Sequence, residues 1–261
     1  MTTSRSLRTL DAPVDIAPSA PGPISFAQLV RVEWVKATDT RAARWLLALV
    51  ALSTAGMMLV PVIVPTSFEQ TQASYLRVAA LGLSVLLPVV AILLFTGEWS
   101  QRSIMTTFTQ EPRRMRVLNA KLAVSLVLGG GGAVFGGVVT AAGLGVAAVS
   151  GRTVEPDLSI GAIASYLVYV LLNVLAAVAL GALLQSSAAA IAASFALPAA
   201  IALLGTASTL VSDWISMSGP WGRLLENDWA GHVPQISFSI AFWVAVPLAA
   251  GAYRTVRRDV G

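Results

Sequence analysis

Charge is missing from five long stretches of this 261-residue chain. Residues 45–68, 78–97, 122–151, 158–212 and 229–253, of 24, 20, 30, 55 and 25 residues, contain no Asp, Glu, Lys or Arg. One helix crosses the hydrocarbon core of a bilayer with about 20 apolar residues, so four of these stretches hold one span each and the longest holds two. Gln185-Ser186-Ser187 divides the long stretch, and so short a break is a tight turn at one membrane face that makes the flanking spans an antiparallel hairpin. The expected spans are residues 45–67, 76–97, 120–148, 160–184, 188–209 and 235–253. With 56% apolar and only 11% charged residues, against about a quarter charged in a soluble domain, the chain reads as an all-α polytopic membrane protein.

The residue inventory narrows the chemistry. No cysteine is present, which excludes disulfides, thiol nucleophiles and Cys-based metal sites. His232 is the single histidine and reads as a solvated loop residue, so no metal pair or Ser-His-Asp triad is expected. The glycine run 129–132, followed by Gly136 and Gly137, lacks the Lys-Ser/Thr of a phosphate loop and sits within an apolar span, where no nucleotide reaches it. Gly132 and Gly136 are instead spaced for close helix packing. No enzyme activity and no cofactor of the chain's own is expected.

Basic residues supply the orientation. Fourteen of 17 lie before the first span, between spans two and three, or after span six, while the alternate loops hold only Arg77, Arg152 and Arg223. The positive-inside rule then places both termini and the loop at 98–121 in the cytoplasm, which an even number of spans allows. The net charge of +4 is read the same way, as membrane orientation rather than nucleic-acid binding. Trp34, Trp45, Trp99, Trp214, Trp221 and Trp229 fall at expected span ends and read as interfacial anchors, with Trp243 alone inside a span.

Residues 1–24 read as a disordered cytoplasmic tail, rich in Ser, Thr and Pro and without the apolar core of a signal peptide. Residues 25–41 form an amphipathic helix on the inner leaflet: Ser25 and Gln28 have capping-box spacing, and Phe26, Leu29, Val30 and Trp34 share a face. A transmembrane domain over 42–254 follows, with a cytoplasmic tail at 255–261. The loop 98–121 is far longer than neighbouring antiparallel helices need, which makes it a candidate docking element, with a helix-compatible stretch at 102–110. The outer segment 210–234 is also long, and semi-polar.

Several of these stretches resemble the ABC-2 type export family of ABC transporter permeases. Residues 31–36 with Arg41 look like its N-terminal elbow. Gly97-Glu98, Arg102, Glu111-Pro112-Arg113-Arg114 and Ala120-Lys121 resemble its first cytoplasmic loop. Residues 180–187 are similar to its hairpin between spans four and five, and 257–260 to its C-terminal end, although Gln185 stands where the family pattern has a basic residue. The resemblance implies a six-span subunit that pairs with a second permease copy or paralogue and docks cytoplasmic ATPase subunits, which would bind the ATP and Mg. It also implies ATPase-coupling roles for Arg31, Glu33, Lys36, Glu98, Arg102, Glu111, Arg113 and Arg114, and short re-entrant helices in the outer segment. Arginine outnumbers lysine 15 to 2, a composition associated with GC-rich bacteria such as actinobacteria, so the expected location is a bacterial cytoplasmic membrane.

Polar residues inside the spans are few, and Tyr166, Tyr169, Asn173 and Pro198 are the candidates for a translocation path. A path otherwise lined by Leu, Val and Ala suits an apolar or amphipathic cargo such as a drug, antibiotic, peptide or lipid. Two other functions fit the topology: a secondary transporter and a non-transporting scaffold or sensor. No acid lies in a span, which weighs against ion coupling, since such transporters usually retain one. The absence of cysteine allows a direct check of topology. Single cysteines at Thr106 and Glu155 should react with a membrane-impermeant maleimide from opposite faces, and labelling of both from one face would overturn the six-span reading.

Overall fold

A computed structural model describes residues 24–100 and 113–257. The expected disordered tail before residue 24, the helix-compatible stretch 102–110 with Arg102, and Glu111 lie outside the described residues. Six helices are long and apolar enough to cross a membrane: α2 (Arg41–Ile63), α3 (Gln72–Ser100), α4 (Arg114–Val149), α5 (Ile160–Leu184), α6 (Ser187–Gly205) and α8 (Val233–Arg257). A shorter helix, α1 (Phe26–Thr38), precedes them, and α7 (Ser218–Leu225) lies between α6 and α8. Among the described residues there is no strand, only a single bridge between Thr71 and Glu155.

The local signals account for several boundaries. Gln28 N–H donates to Ser25 Oγ at 3.2 Å and Ser25 N–H to Gln28 Oε1 at 2.9 Å, closing the capping box that starts α1. Thr40 Oγ1 accepts from Ala43 N–H and starts α2, four residues before the expected span, because the cap and not the last charge sets the helix start. Pro65 then begins a short 3₁₀ turn, so α2 also ends four residues early. The hairpin appears where the polar break stood: α5 ends at Leu184, and Gln185 takes the left-handed conformation that closes a helix, with φ 53°. α4 begins at Arg114, well inside the stretch expected as loop.

α3 is the centre of the bundle. It packs against α2, α4 and α5, and 61% of its most apolar stretch is buried, compared with 22% for α2 and 6% for α6. Leu83, Leu87, Val90 and Phe95 of α3 share a core with Val124 and Leu128 of α4 and with Tyr166, Val174 and Val178 of α5. The glycine run of α4 makes room for it: a Cβ on Gly132 would stand 2.7 Å from Leu87 Cδ2, and one on Gly136 would collide with the Tyr166 hydroxyl. These two glycines therefore receive side chains of the same molecule. The Tyr166 hydroxyl donates to the Ala133 carbonyl at 2.7 Å, across the space a larger residue at 136 would fill.

Both ends of the described chain meet at one end of the bundle, at the start of α4. Arg116 donates to the Ile24 carbonyl, Arg114 to the carbonyls of Thr255 and Val256, and Gln185 Nε2 to Thr255 Oγ1. At the opposite end the α2–α3 and α4–α5 turns are joined: Gln72 and Glu155 amides donate to the carbonyls of Glu155 and Gln70, and Asp157 accepts from Ala73 N–H at 2.8 Å.

The outer segment is folded and not loose. One π-helical turn (Val211–Ile215) leads into α7, which turns Trp221 and Leu224 onto Leu172 and Ala176 of α5 and onto Trp243. Trp221 is thus a core residue with 1% exposure, contrary to its expected place in the interfacial belt; folding of α7 back onto α5 buries it. Trp45, Trp214 and Trp229 remain exposed as expected. Trp243 sits in a π-helical turn of α8 and donates to the Ile215 carbonyl at 2.7 Å.

The glycine contacts give a paired test. Gly136→Ala should lower thermal stability by about 1–3 kcal/mol through overpacking against Tyr166 and Leu83. Gly137→Ala, where a Cβ meets nothing within 4 Å, should be neutral or slightly stabilising. Equal melting temperatures for the two purified variants would contradict this packing.

Candidate functional site

Four charges from three helices form a closed ion ring at the end where the termini gather. Lys121 of α4 donates to Glu33 of α1 at 2.6 Å and stands 3.2 Å from Glu98 Oε2 near the end of α3. Lys36 of α1 reaches Glu98 Oε1 at 2.5 Å and Glu33 Oε1 at 3.0 Å. Each carboxylate lies between two ammonium groups and each ammonium between two carboxylates. The Glu33 and Lys121 side chains are only 1% and 3% exposed, Glu98 is 12% exposed, and Lys36 forms the open edge at 42%.

Helix geometry explains the assembly. Leu29, Glu33 and Ala37 are four residues apart and share the seam that α1 presses on Val117 and Ala120 of α4. The sequence reading put Phe26, Leu29, Val30 and Trp34 on one face toward the inner leaflet; Phe26 and Trp34 are exposed, Leu29 is buried and Val30 half-buried, and the seam against the protein is centred on Glu33, whose partner Lys121 lies one turn beyond Val117. A carboxylate taken out of water alone would cost several kcal/mol, and alternating charges offset that loss. Burial acts to lower the pKa of Lys36, but its hydrogen bonds to Glu98 and Glu33 and the charges of both outweigh this and hold it above the ordinary lysine value. A raised pKa means that the stabilisation is fully present below the ordinary lysine pKa and is lost only as pH climbs through the raised one, so Lys36 keeps its charge across the neutral range.

The residues expected to couple to a partner are distributed unevenly about this ring. Glu33, Lys36 and Glu98 belong to it, Arg31 and Arg113 are exposed, and Arg114 is half-buried against the end of α8. Lys121 is a member that the sequence reading placed at the opening of the third span and counted among the loop's basic residues, without a site role. The signal available was its position between Ala120 and Leu122, inside a run of helix formers rather than among the polar residues of a loop.

A second feature lies in the middle of the bundle. A cavity of about 370 Å³ between α3, α5, α6 and the outer segment is lined by Ser84, Asn173, Ser194, Phe195, Pro198 and Trp243 among others, none of them ionisable. Two of the four expected path residues, Asn173 and Pro198, line it. The Tyr169 hydroxyl faces Ser84 and Asn173 at its edge. Tyr166 does not belong to this cavity: its hydroxyl is spent on Ala133, and its ring borders a smaller pocket of about 180 Å³ with Arg77, Asp157 and Asn227 at the opposite end from the ion ring. The Ser84 and Ser194 hydroxyls donate to carbonyls of their own helices, and Asn173 Nδ2 to the Tyr169 carbonyl. What the cavity presents is therefore a few polar side-chain atoms set in an apolar wall.

Among the described residues no group of His, Cys, Asp or Glu is arranged to hold a metal ion. Compared with protein-family models, with curated proteins and with solved structures, the chain matches none.

The ring predicts a characteristic pattern of stability. Lys121→Met leaves Glu33 buried with one partner fewer and should cost about 3–5 kcal/mol, whereas the double change Glu33→Leu with Lys121→Met should recover most of that loss. Thermal unfolding of the purified variants measures both; additive losses in the double variant would mean that the pair is not coupled.

Proposed function

We propose that this chain is the membrane subunit of an ATP-driven exporter of the ABC-2 type, resident in a bacterial cytoplasmic membrane with the ion-ring end in the cytoplasm. It works as a pair, with a second copy or a paralogue, and takes its energy from separate ATPase subunits that bind ATP and Mg. The observation that carries this reading is the ion ring. The two helices that flank the segment between α3 and α4 are both ion-paired to α1, through Glu98 on α3 and Lys121 on α4. A push on that segment from the cytoplasm is passed to α1 and to the central helix α3 together, as a coupling loop and elbow require. Arg31 and Arg113, exposed on either side, are suited to meeting an acidic partner surface.

The cavity lining supports ATP coupling over ion coupling. Proton- and sodium-driven carriers commonly keep an ionisable side chain near the middle of the membrane, and this cavity has none. Its apolar wall with scattered polar atoms suits an uncharged or amphipathic cargo, including drugs and antibiotics.

The test is co-purification of the full chain with the ATPase encoded beside it. Arg31→Glu should weaken capture and ATPase stimulation by about ten-fold, without loss of thermal stability, since Arg31 is exposed and stands outside the ring. Undiminished capture by that variant would remove the docking assignment, and an ATPase-free chain in native membranes would remove the exporter reading.

A further inference from the structure

α3 and α6 are joined at the ion-ring end and stand apart further in. The Ser187 hydroxyl of α6 is within hydrogen-bond distance of Thr96 and Ser100 of α3, and Ala190 shares a small core with Ile92. One to two turns beyond this joint, the cavity of about 370 Å³ lies between the two helices, with Ala176, Ala177 and Leu180 of α5 as its buried floor. Its far end is made by Met217 and Ser218 of the outer segment and by Trp243 of α8. On the remaining side the rim is Val85 of α3 with Phe195 and Ala199 of α6, all three exposed. The rim falls midway along two helices that are each long and apolar enough to cross a membrane, so the opening faces the hydrocarbon of a bilayer and neither aqueous surface.

The lining asks for no charge and has little polarity left to satisfy. It holds no ionisable side chain, and each of its polar side chains already has a partner within the chain. Ser84 and Ser194 donate to the carbonyls of Leu81 and Ile191, Asn173 to that of Tyr169, Trp243 to that of Ile215, and Ser218 to Ser216 Oγ. An ion or a strongly hydrated group entering here gives up its water and gains no charge partner in return, whereas an apolar molecule gives up nothing. The Ser187 joint bounds the space toward one membrane surface and Met217 bounds it toward the other, so an acyl chain held by its headgroup at either surface has no straight course into it. A compact molecule dissolved in the hydrocarbon enters whole, past Phe195 on the lightly packed α6. The rings of Phe195 and Trp243 favour an aromatic guest.

We propose that this cavity, within a single chain, binds an uncharged fused aromatic compound taken from the bilayer through the α3–α6 opening. Benzene fills an apolar cavity of about 150 Å³, so one of about 370 Å³ takes two or three fused rings. The ligand class is narrower than the cargo of the exporter reading and rests on that reading only where the bound molecule is called a cargo; binding itself needs neither the ATPase nor a second chain.

Photolabelling of the purified full-length chain in phosphatidylcholine nanodiscs, without ATPase, tests this with 1-azidonaphthalene as the probe and peptide mass spectrometry as the readout. Adducts should form at Trp243, buried at the end of the cavity, and anthracene in about ten-fold excess should reduce them by about an order of magnitude, as competition for one site requires. Adducts at Trp45 and Leu49, exposed on α2, measure simple partition into the bilayer and should not respond to anthracene. Neither anthracene-2-sulfonate, which keeps a charge, nor hexadecane, a chain without a headgroup, should compete. Ala199→Trp on the rim should abolish the anthracene-sensitive labelling, and Ala196→Trp, on the same helix but outside the lining, should leave it intact; both positions are exposed, so folding is preserved and equal melting temperatures verify it. Labelling of Trp243 that anthracene does not reduce, or that persists in Ala199→Trp, would overturn the site. Competition by the sulfonate would overturn the charge argument, and competition by hexadecane would give the cavity to an acyl chain. Each result is read on the chain alone, so failure of ATPase capture leaves it standing, and failure here leaves the capture result standing.

Discussion

Three charges withdrawn from water and a half-exposed lysine that closes their ring govern how this bundle is put together. Glu33 is nearly inaccessible on the inner side of a surface helix, which is tolerable only if cations come to it, and both lysines of the chain do so. The requirement fixes three things together: the rotation of α1 about its axis, the level of the end of α3, and the depth at which α4 enters the bundle. Hydrophobic contact alone would not do this in a bilayer, where lipid tails are as apolar as leucine and one apolar face serves nearly as well as another. The ring supplies the register that greasy surfaces do not. The proposed coupling route lies against it, because it is where the first helix becomes part of the helix bundle.

The rest of the bundle follows a gradient of packing set by α3. Around that helix, α4 offers glycines that admit leucine and tyrosine side chains, and α5 offers a nearly continuous face of Val, Leu and Ala. α8 comes closest to α5 at Gly251, where a Cβ would stand 2.5 Å from the Ala182 carbonyl carbon, beside the hydrogen bond from Gln185 to Thr255. That bond gives Gln185 an internal partner at the hairpin between α5 and α6. α2 and α6 are held on the outside and leave most of their surface to lipid or to another chain.

Much of this was legible in the chain, for reasons of scale. A stretch of 20 or more residues without charge has one reading in water and another in lipid, and the six spans followed from that. The Ser25–Gln28 box and the Gln185 break were equally clear, because caps and turns are short-range chemistry written in adjacent residues. The ring was not legible, since it joins residues 33, 36, 98 and 121, whose separation along the chain hides their proximity, and a charge near a span end reads by default as a solvated topology signal. Trp221 was misplaced for a related reason: amphipathic side chains suit the interface, and only the return of α7 onto α5 turns this one inward. Tyr166 was assigned to the path on polarity alone, whereas its partner is a backbone carbonyl 33 residues earlier, which no local pattern announces.

α6 differs in mechanical character from its neighbours. At one end the Ser187 hydroxyl is within hydrogen-bond distance of Thr96 and Ser100 of α3, at 2.7 and 2.8 Å, and at the other Gly205 lies close against Ser212. Between these attachments only Ala190 is buried, and Pro198 interrupts the backbone ladder about midway. A rod pinned at both ends, softened at its centre and in light contact along its length behaves as a bowed spring. Since Ser194, Phe195 and Pro198 are one side of the central cavity, the volume of that cavity depends on the least buried of the six long helices, while its opposite side is built on α3 and α5, the two most buried.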